Sequence, residues 1–298
     1  MASAREVKLR IRSIKNIAQV TRALQAVSAS KVQKAMQAML GTRPYATKAW
    51  QVLTHIAAQP DRAMLHPLLT EPAEVDQIIV IMVSGDRGLA GAYNTNIVRF
   101  TQEKFGKSEI PIRYITIGRK GRDQMIRRGA DIMAEFSDLP PAPSFADVSA
   151  IGRLAVDEFL NTTADEVYLV YTDFVNMVQQ IPKVKKLLPL GLGETEDRVE
   201  AFTETNKLQA SYLFEPSQQE ILDEIIPRFT ALQVYQAVME SLASEHASRM
   251  IAMRNATENA TELSEVLQLQ YNKARQQSIT GEMLDIAGGA EALAQSSK

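Results

Sequence analysis

The chain has 298 residues, 45% of them apolar and 6% aromatic, with no cysteine and a net charge of −2. That length suits two domains, or one domain plus an extended element, and the lack of cysteine excludes a disulfide framework and any Cys-based metal site. The longest clear apolar run, Ile78–Val83, falls far short of the roughly 20 residues a membrane-crossing helix needs. The N-terminus lacks the short apolar core of a signal peptide, so a cytoplasmic protein with no membrane span is expected.

The small net charge hides an asymmetry. Residues 1–50 hold ten Lys or Arg against one acid, Glu6, which leaves 23 basic and 34 acidic residues in the remainder. Such a basic arm points to nucleic acid, anionic lipid or an acidic protein surface.

Ala4 to Leu40 contains no Gly or Pro, and Val7, Ile11, Ile14, Ile17, Val20, Leu24, Val27 and Lys31 recur at spacings of three and four. This predicts a long helix with one apolar seam. Ala46 to Ala58 still reads as helix, with Pro44 a kink or a fresh first turn. Residues 59–76, with three prolines, read as a loop. The texture then changes. Gln77–Ser84 is a strand buried on both faces, Ala92–Phe105 a helix, Ile112–Gly118 a strand and Lys120–Arg128 a short helix. Asp131–Phe136 is a third strand, Phe145–Asn161 a helix, Glu166–Phe174 a strand and Met177–Leu190 its antiparallel return. This alternation predicts a Rossmann-like α/β domain. Residues 191–216 are polar and irregular.

Arg228 to Thr280 then runs 53 residues without Gly or Pro. Its apolar line includes Met239, His246, Met253, Ala256, Ala260, Leu263, Leu267, Gln270 and Ala274. At about 1.5 Å per residue such a helix spans roughly 80 Å, too long to bury itself in one compact domain. Its natural partner is the N-terminal helix. The expected fold is α/β plus a long coiled coil: an antiparallel coiled coil of the N-terminal (1–58) and C-terminal (217–298) helices, with the α/β domain (59–216) inserted between them.

The motifs that carry chemistry are few. Ser84-Gly-Asp-Arg-Gly-Leu-Ala-Gly91 follows a strand and opens a helix, a place where backbone N–H groups can hold phosphate. Its glycine spacing is not that of a dinucleotide fingerprint, and Asp86 would repel an anion, so a tight structural turn competes with a ligand loop. Gly106-Lys107-Ser108 mimics a P-loop ending, but Thr101 stands where the first glycine belongs and the segment follows a helix. His55, His66 and His246 offer neither a triad nor a metal set. No catalytic, cofactor-binding or metal-binding residue is expected. On the basic arm, Lys8, Arg10, Arg12, Lys15 and Arg22 suit phosphates. The regular seam on the same helix, and the absence of interleaved aromatics, favour acidic protein surfaces over nucleic acid.

Six segments go beyond composition: Ile11-Arg-Ser-Ile-Lys-Asn16, Thr21-Arg-Ala-Leu-Gln-Ala-Val-Ser-Ala-Ser-Lys31, Thr42-Arg-Pro-Tyr45, Ser84–Asn94, Ala247-Ser-Arg-Met-Ile-Ala-Met-Arg-Asn255 and Tyr271-Asn-Lys-Ala-Arg-Gln-Gln-Ser-Ile-Thr280, followed by Gly288-Gly-Ala-Glu-Ala-Leu293. With these, essentially the whole chain closely resembles the gamma-subunit family of F-type ATP synthases. The resemblance implies a central shaft that couples ion-driven rotation of a membrane c-ring to ATP synthesis or hydrolysis in a ring of alpha and beta subunits. The α/β domain would stand at the foot, beside the epsilon subunit and the c-ring. Catalysis would belong to the beta subunits, and no cofactor, nucleic acid or membrane span is implied. By position, Leu24, Arg249, Gln276 and Thr280 match the family's shaft contacts with alpha and beta subunits. Lys8, Arg10 and Arg12 join them on electrostatic grounds, and Tyr212 and Glu215 match the foot contact with the c-ring and epsilon. Plant-type members carry a Cys-containing insertion, which this chain lacks. A bacterial-type subunit is therefore implied, peripheral on the cytoplasmic side of the cell membrane.

Overall fold

The computed structural model describes residues 4–57, 66–190 and 218–296. The chain forms two compact units, Met1–Val27 with Met250–Lys298, and Ser28–Arg249. Helix α1, Ala4–Ala57, is unbroken at Pro44, where the sequence predicts a kink or restart. The last helix, labelled α5, covers Gln218–Ser296 and includes Pro227. Buried Leu222, Ile226 and Phe229 flank that proline, so packing holds the helix through a residue that would otherwise break it. The helix also runs beyond Thr280, the end of the Gly- and Pro-free stretch, through Gly281 and Gly288-Gly289.

The larger unit is built on a five-stranded sheet in the order β3-β2-β1-β4-β5. The strands are β1 Ile78–Val83, β2 Ile112–Ile117, β3 Asp131–Phe136, β4 Glu166–Phe174 and β5 Gln180–Leu188. The first four pair in parallel and β5 returns antiparallel to β4, as the sequence predicts. β1 is buried at all six positions, which is why its sequence is a continuous apolar run without alternation. Its side chains nonetheless alternate between two cores. Ile78, Val80 and Met82 pack with Ile97 and Val98 of α2 (Tyr93–Phe105) and Met125 of α3 (Arg119–Ile126). Ile79, Ile81 and Val83 pack with Val148, Ile151 and Ala155 of α4 (Phe145–Leu160), Leu53 of α1, and Ile226, Leu232, Val234 and Val238 of α5.

On α5, residues 229–247 are buried on nearly every side, the pattern of a helix in a core rather than one with a single seam. Close approach supplies part of the reason: a Cβ on Gly152 of α4 would lie 2.5 Å from the Ala231 Cα. Within this unit α1 and α5 run antiparallel. The Thr42 hydroxyl accepts a hydrogen bond from Gln236 Nε2 at 3.1 Å, and eight residues later Trp50 stacks on Phe229 at 5.7 Å, seven residues earlier on its helix.

In the smaller unit the two helices meet along a heptad seam. On α5, Met253, Thr257, Ala260 and Ser264 are buried, and Leu267, Tyr271 and Ala274 are half-buried, at alternating spacings of four and three. On α1, Val7, Ile11 and Thr21 are buried, with Ile14, Ala18 and Gln25 half-buried between and beyond them. This seam departs from the one drawn through apolar residues alone. Ile17, Val20, Val27 and Leu263 point outward, each about half exposed, and small hydroxyl residues take their places. Thr21 and Thr257 share two hydroxyl protons between them: one hydroxyl donates to its own helix, Thr21 to the Ile17 carbonyl at 3.0 Å or Thr257 to that of Met253 at 2.8 Å, and the other donates across the seam at 2.7 Å. A pattern based on hydrophobicity passes over such residues, although they bring two helices close without leaving a buried polar group unpaired.

The Thr21–Thr257 bond should show as coupling. Each Thr→Val change is expected to cost about 1 kcal/mol in urea denaturation of the purified chain, while the double variant costs less than the two together. Strictly additive costs would mean that the bond contributes nothing.

Candidate functional site

The loop after β1, residues 84–92, is held by side chains rather than left open. Gly85 N–H donates to Asn94 Oδ1 at 2.8 Å, and Asn94 Nδ2 donates to the Arg87 carbonyl at 3.3 Å. The Asp86 carboxylate accepts from the backbone N–H groups of Arg119 at 3.0 Å and Asp138 at 3.1 Å, which ties the loop to the turns after β2 and β3. Ser84 Oγ accepts from Gly121 N–H at 3.0 Å. Of the two readings of this glycine-rich stretch, the geometry is that of the structural turn.

Helix α5 closes over the loop. A Cβ on Gly85 would lie 2.7 Å from Glu245 Cδ and within 3.0 Å of both its carboxylate oxygens, so only glycine lets the carboxylate sit this close. Arg249, one turn further along, pairs with that carboxylate. Its guanidinium also donates to the Gly88 carbonyl, from Nε at 3.3 Å and Nη2 at 3.2 Å, and to the Arg87 carbonyl at 3.5 Å. Nη1 lies 3.1 Å from His246 Nδ1. Since a guanidinium only donates, that nitrogen is the acceptor and the imidazole is neutral.

Electrostatics follow from this burial. Burial pushes the Glu245 carboxyl up, against the opposing pull of Arg249. Burial, then the charges of Arg249 and Lys31, push His246 down to about 4. The Tyr93 hydroxyl is raised by its own burial and by Glu245. The sequence contained the Glu245–Arg249 spacing, an ordinary i,i+4 ion pair, but nothing in it marked the pair as buried: the two side chains are 8% and 12% exposed. Glu245, Tyr93 and Asn94 are the functional residues that sequence reasoning missed.

The other expected site residues fall differently. Lys8 and Arg12 are exposed one turn apart on α1, with Lys15 and Arg22 on the same face at 100° per residue. Arg10 lies on another face and pairs with Glu6 at 2.8 Å. Leu24 is half-buried, while Gln276 and Thr280 are exposed on α5. Leu24 lies one turn from the Thr21–Thr257 contact, and Gln276 is nineteen residues beyond it, about 30 Å along the helix. The structure therefore does not gather Leu24, Gln276 and Thr280 into one spot. Tyr212 and Glu215 lie outside the described residues.

On α1 the outward Ile17, Val20 and Val27, with half-buried Leu24, recur at three and four residues on a face separate from the seam. They form an apolar stripe on a different face of the helix from the basic stripe of Lys8, Arg12, Lys15 and Arg22. Among the described residues no cluster of His, Cys, Asp or Glu suits a metal ion, and no helix is long and apolar enough to cross a membrane.

The model of the ATP synthase family matches residues 3–293. The chain is 42% identical to the ATP synthase gamma chain of Roseiflexus sp. (strain RS-1) over 300 residues, covering 99% of this chain and all of that one. It is also 42% identical to the ATP synthase gamma chains of Herpetosiphon aurantiacus and Dehalococcoides mccartyi strain 195, again over 99% of this chain and all of theirs. Among solved structures it resembles a chain of the Euglena gracilis mitochondrial ATP synthase OSCP/F1/c-ring assembly, with a TM-score of 0.69 and 21% identity over 99% of this chain and 96% of that one. A chain of the Tetrahymena thermophila central stalk and c-ring gives a TM-score of 0.61 and 22% identity, over 80% and 99% respectively. At these identities the likeness is one of fold.

The buried neutral His246 has a consequence for stability. The unfolded chain takes up a proton near pH 6.5 and the folded chain only near 4, so between those values the unfolded state binds more protons and stability falls as pH is lowered. His246→Gln should remove a share of that acid sensitivity on the order of 2 kcal/mol between pH 6.5 and 4, read from urea midpoints across that range. The raised Glu245 acts in the opposite direction and is common to both proteins. Parallel pH profiles would show that the imidazole is not held neutral.

Proposed function

This chain belongs to the ATP synthase family, its full-length relatives being gamma chains, and from that premise we propose that it is the central rotor shaft of an F-type ATP synthase. In this reading the c-ring and the shaft turn together. The turning helix pair presents successive faces to the alpha/beta hexamer and drives its sites through ATP synthesis, or is itself driven by hydrolysis. The chain is a non-catalytic subunit with no bound cofactor, and its partners are the alpha, beta and epsilon subunits and the c-ring. It is peripheral, on the cytoplasmic side of the bacterial cell membrane. The helix pair, residues 1–58 with 217–298, is the shaft, and residues 59–216 are the foot.

The observation that carries this reading, beyond kinship, is the pair of outward stripes on α1. A helix that has already satisfied its seam gains nothing within the chain from exposing Ile17, Val20 and Val27. Water-exposed apolar side chains at regular spacing suit an apolar protein surface, and the separate cationic stripe suits an acidic one. Leu24 belongs to the apolar stripe, with Arg10 at its edge, and Lys8 and Arg12 belong to the cationic one. Gln276 and Thr280 meet the hexamer farther along α5. Tyr212 and Glu215 are assigned to the foot contact with the c-ring and epsilon. Arg249 stands apart, because its guanidinium is committed to Glu245 and two loop carbonyls.

A tagged copy of the chain, isolated from its native membranes, should bring down alpha, beta, epsilon and ring subunits as one ATPase. Recovery without them contradicts the reading. Within that complex, Ile17→Ser with Val20→Ser should leave the chain's own stability within about 0.5 kcal/mol while sharply lowering ATP synthesis. Undiminished synthesis would remove the stripe from the contact surface.

A further inference from the structure

The sheet order β3-β2-β1-β4-β5 sends the chain to one side of β1 for β2 and β3 and to the other for β4. In open α/β sheets the crevice outside the carboxyl ends of such a pair of strands is where ligands bind. Here residues of α5 fill it. The Glu245 carboxylate lies against Gly85 at the end of β1, and Arg249 donates to the Gly88 and Arg87 carbonyls of the same loop. On the β4 side, Thr172 N–H donates to Ser241 Oγ at 3.1 Å, and Ser244 Oγ donates to the Thr172 carbonyl at 3.2 Å. One stretch of α5, residues 241–249, thus grips the carboxyl ends of both central strands.

We propose that Glu245 and Arg249 form an internal clasp in this crevice, taking the place of a ligand and locking α5 against rotation or sliding on the sheet. The need for such a device follows from how the rest of α5 is held. Beyond the Ser241 and Ser244 bonds to Thr172, that of Tyr235 to the Pro143 carbonyl and that of Ser248 to Gln180, its contacts with the α/β layers are mostly apolar, and apolar attraction has no direction, so it resists separation better than it resists slippage. Hydrogen bonds to main-chain carbonyls fix both angle and register. The planar guanidinium reaches two carbonyls and a carboxylate at once, whereas an ammonium is a point charge on a flexible stem. Glu245 supplies the counter-charge without which a buried guanidinium would be costly. Arg249 and Glu245 are positioning residues in this account, and Arg249 influences coupling from within the chain rather than by touching a partner subunit. The mechanical consequence rests on the rotor reading; the clasp itself does not.

The test uses the assembled ATPase complex carrying Arg249→Met, Arg249→Lys or Glu245→Gln, with amide hydrogen exchange of residues 84–91 read beside ATP synthesis and ATP hydrolysis. Arg249→Met is expected to speed exchange in that loop by about tenfold, keep hydrolysis within about twofold, and cut synthesis by about tenfold, with Arg249→Lys between it and the parent. If Arg249→Met does not assemble, the graded response of Arg249→Lys and the smaller one of Glu245→Gln carry the same comparison. Unchanged exchange with lost synthesis would overturn the clasp and place Arg249 at a partner surface. Faster exchange with an unchanged ratio of synthesis to hydrolysis would overturn the mechanical role. If synthesis by the parent complex proves independent of this chain, the rotor reading fails while the exchange data still decide the clasp.

Discussion

One helix, α5, satisfies two burial regimes along its length, and much of the remaining architecture follows from that constraint. From Phe229 to Ala247 it lies in a core and needs apolar or hydrogen-bonded side chains on nearly every face. From Met253 to Ala274 it buries one seam and leaves the rest to water. The first regime explains Ser241, Ser244 and Glu245, buried polar side chains that are each hydrogen-bonded. The second explains the regular alternation of four and three, which a helix pair requires and a globular core does not.

The polar cluster at the carboxyl ends of β1 and β4 is the other half of the constraint. A buried carboxylate and guanidinium add little net stability when compared with a well-packed apolar alternative. Their effect here is directional: they fix which residue of α5 faces which strand. The same side chains close the crevice in which a sheet of this order would otherwise hold a ligand. Fold and function therefore meet at one place, a ligand-binding architecture whose mouth is filled by the helix it supports.

The α/β part was largely legible in the sequence. The strands Asp131–Phe136 and Glu166–Phe174 run between the residues that the pattern predicts, because short strand-like runs alternating with helical patterns have one ready interpretation. The antiparallel pairing of the terminal helices was also legible, since neither could bury its seam alone. The seam itself was misread at Ile17, Val20 and Leu263. Apolar spacing of three and four admits more than one register, and the small hydroxyl residues Thr21, Thr257 and Ser264 weigh little on a hydropathy scale. The unbroken passage of α1 through Pro44 was equally hidden, because tertiary packing overrides a local breaker, whereas the C-terminal helix was expected to include Pro227. Of the site, Arg249 could be located by resemblance, but its commitment to Glu245 and the loop carbonyls depends on a fold that brings residues 85–88 to residue 249.

The claim at the centre is that this chain turns as a shaft inside its complex. The chain contains no cysteine, so a single one introduced at exposed Ser108 gives this chain one thiol to carry a probe on its α/β domain in the assembled ATPase. Watching that probe on immobilised complexes during ATP hydrolysis tests the claim most directly. The account predicts rotation in one direction, pausing once for each catalytic site and slowing as ATP is withdrawn. Full-rate hydrolysis with the probe at rest would contradict it.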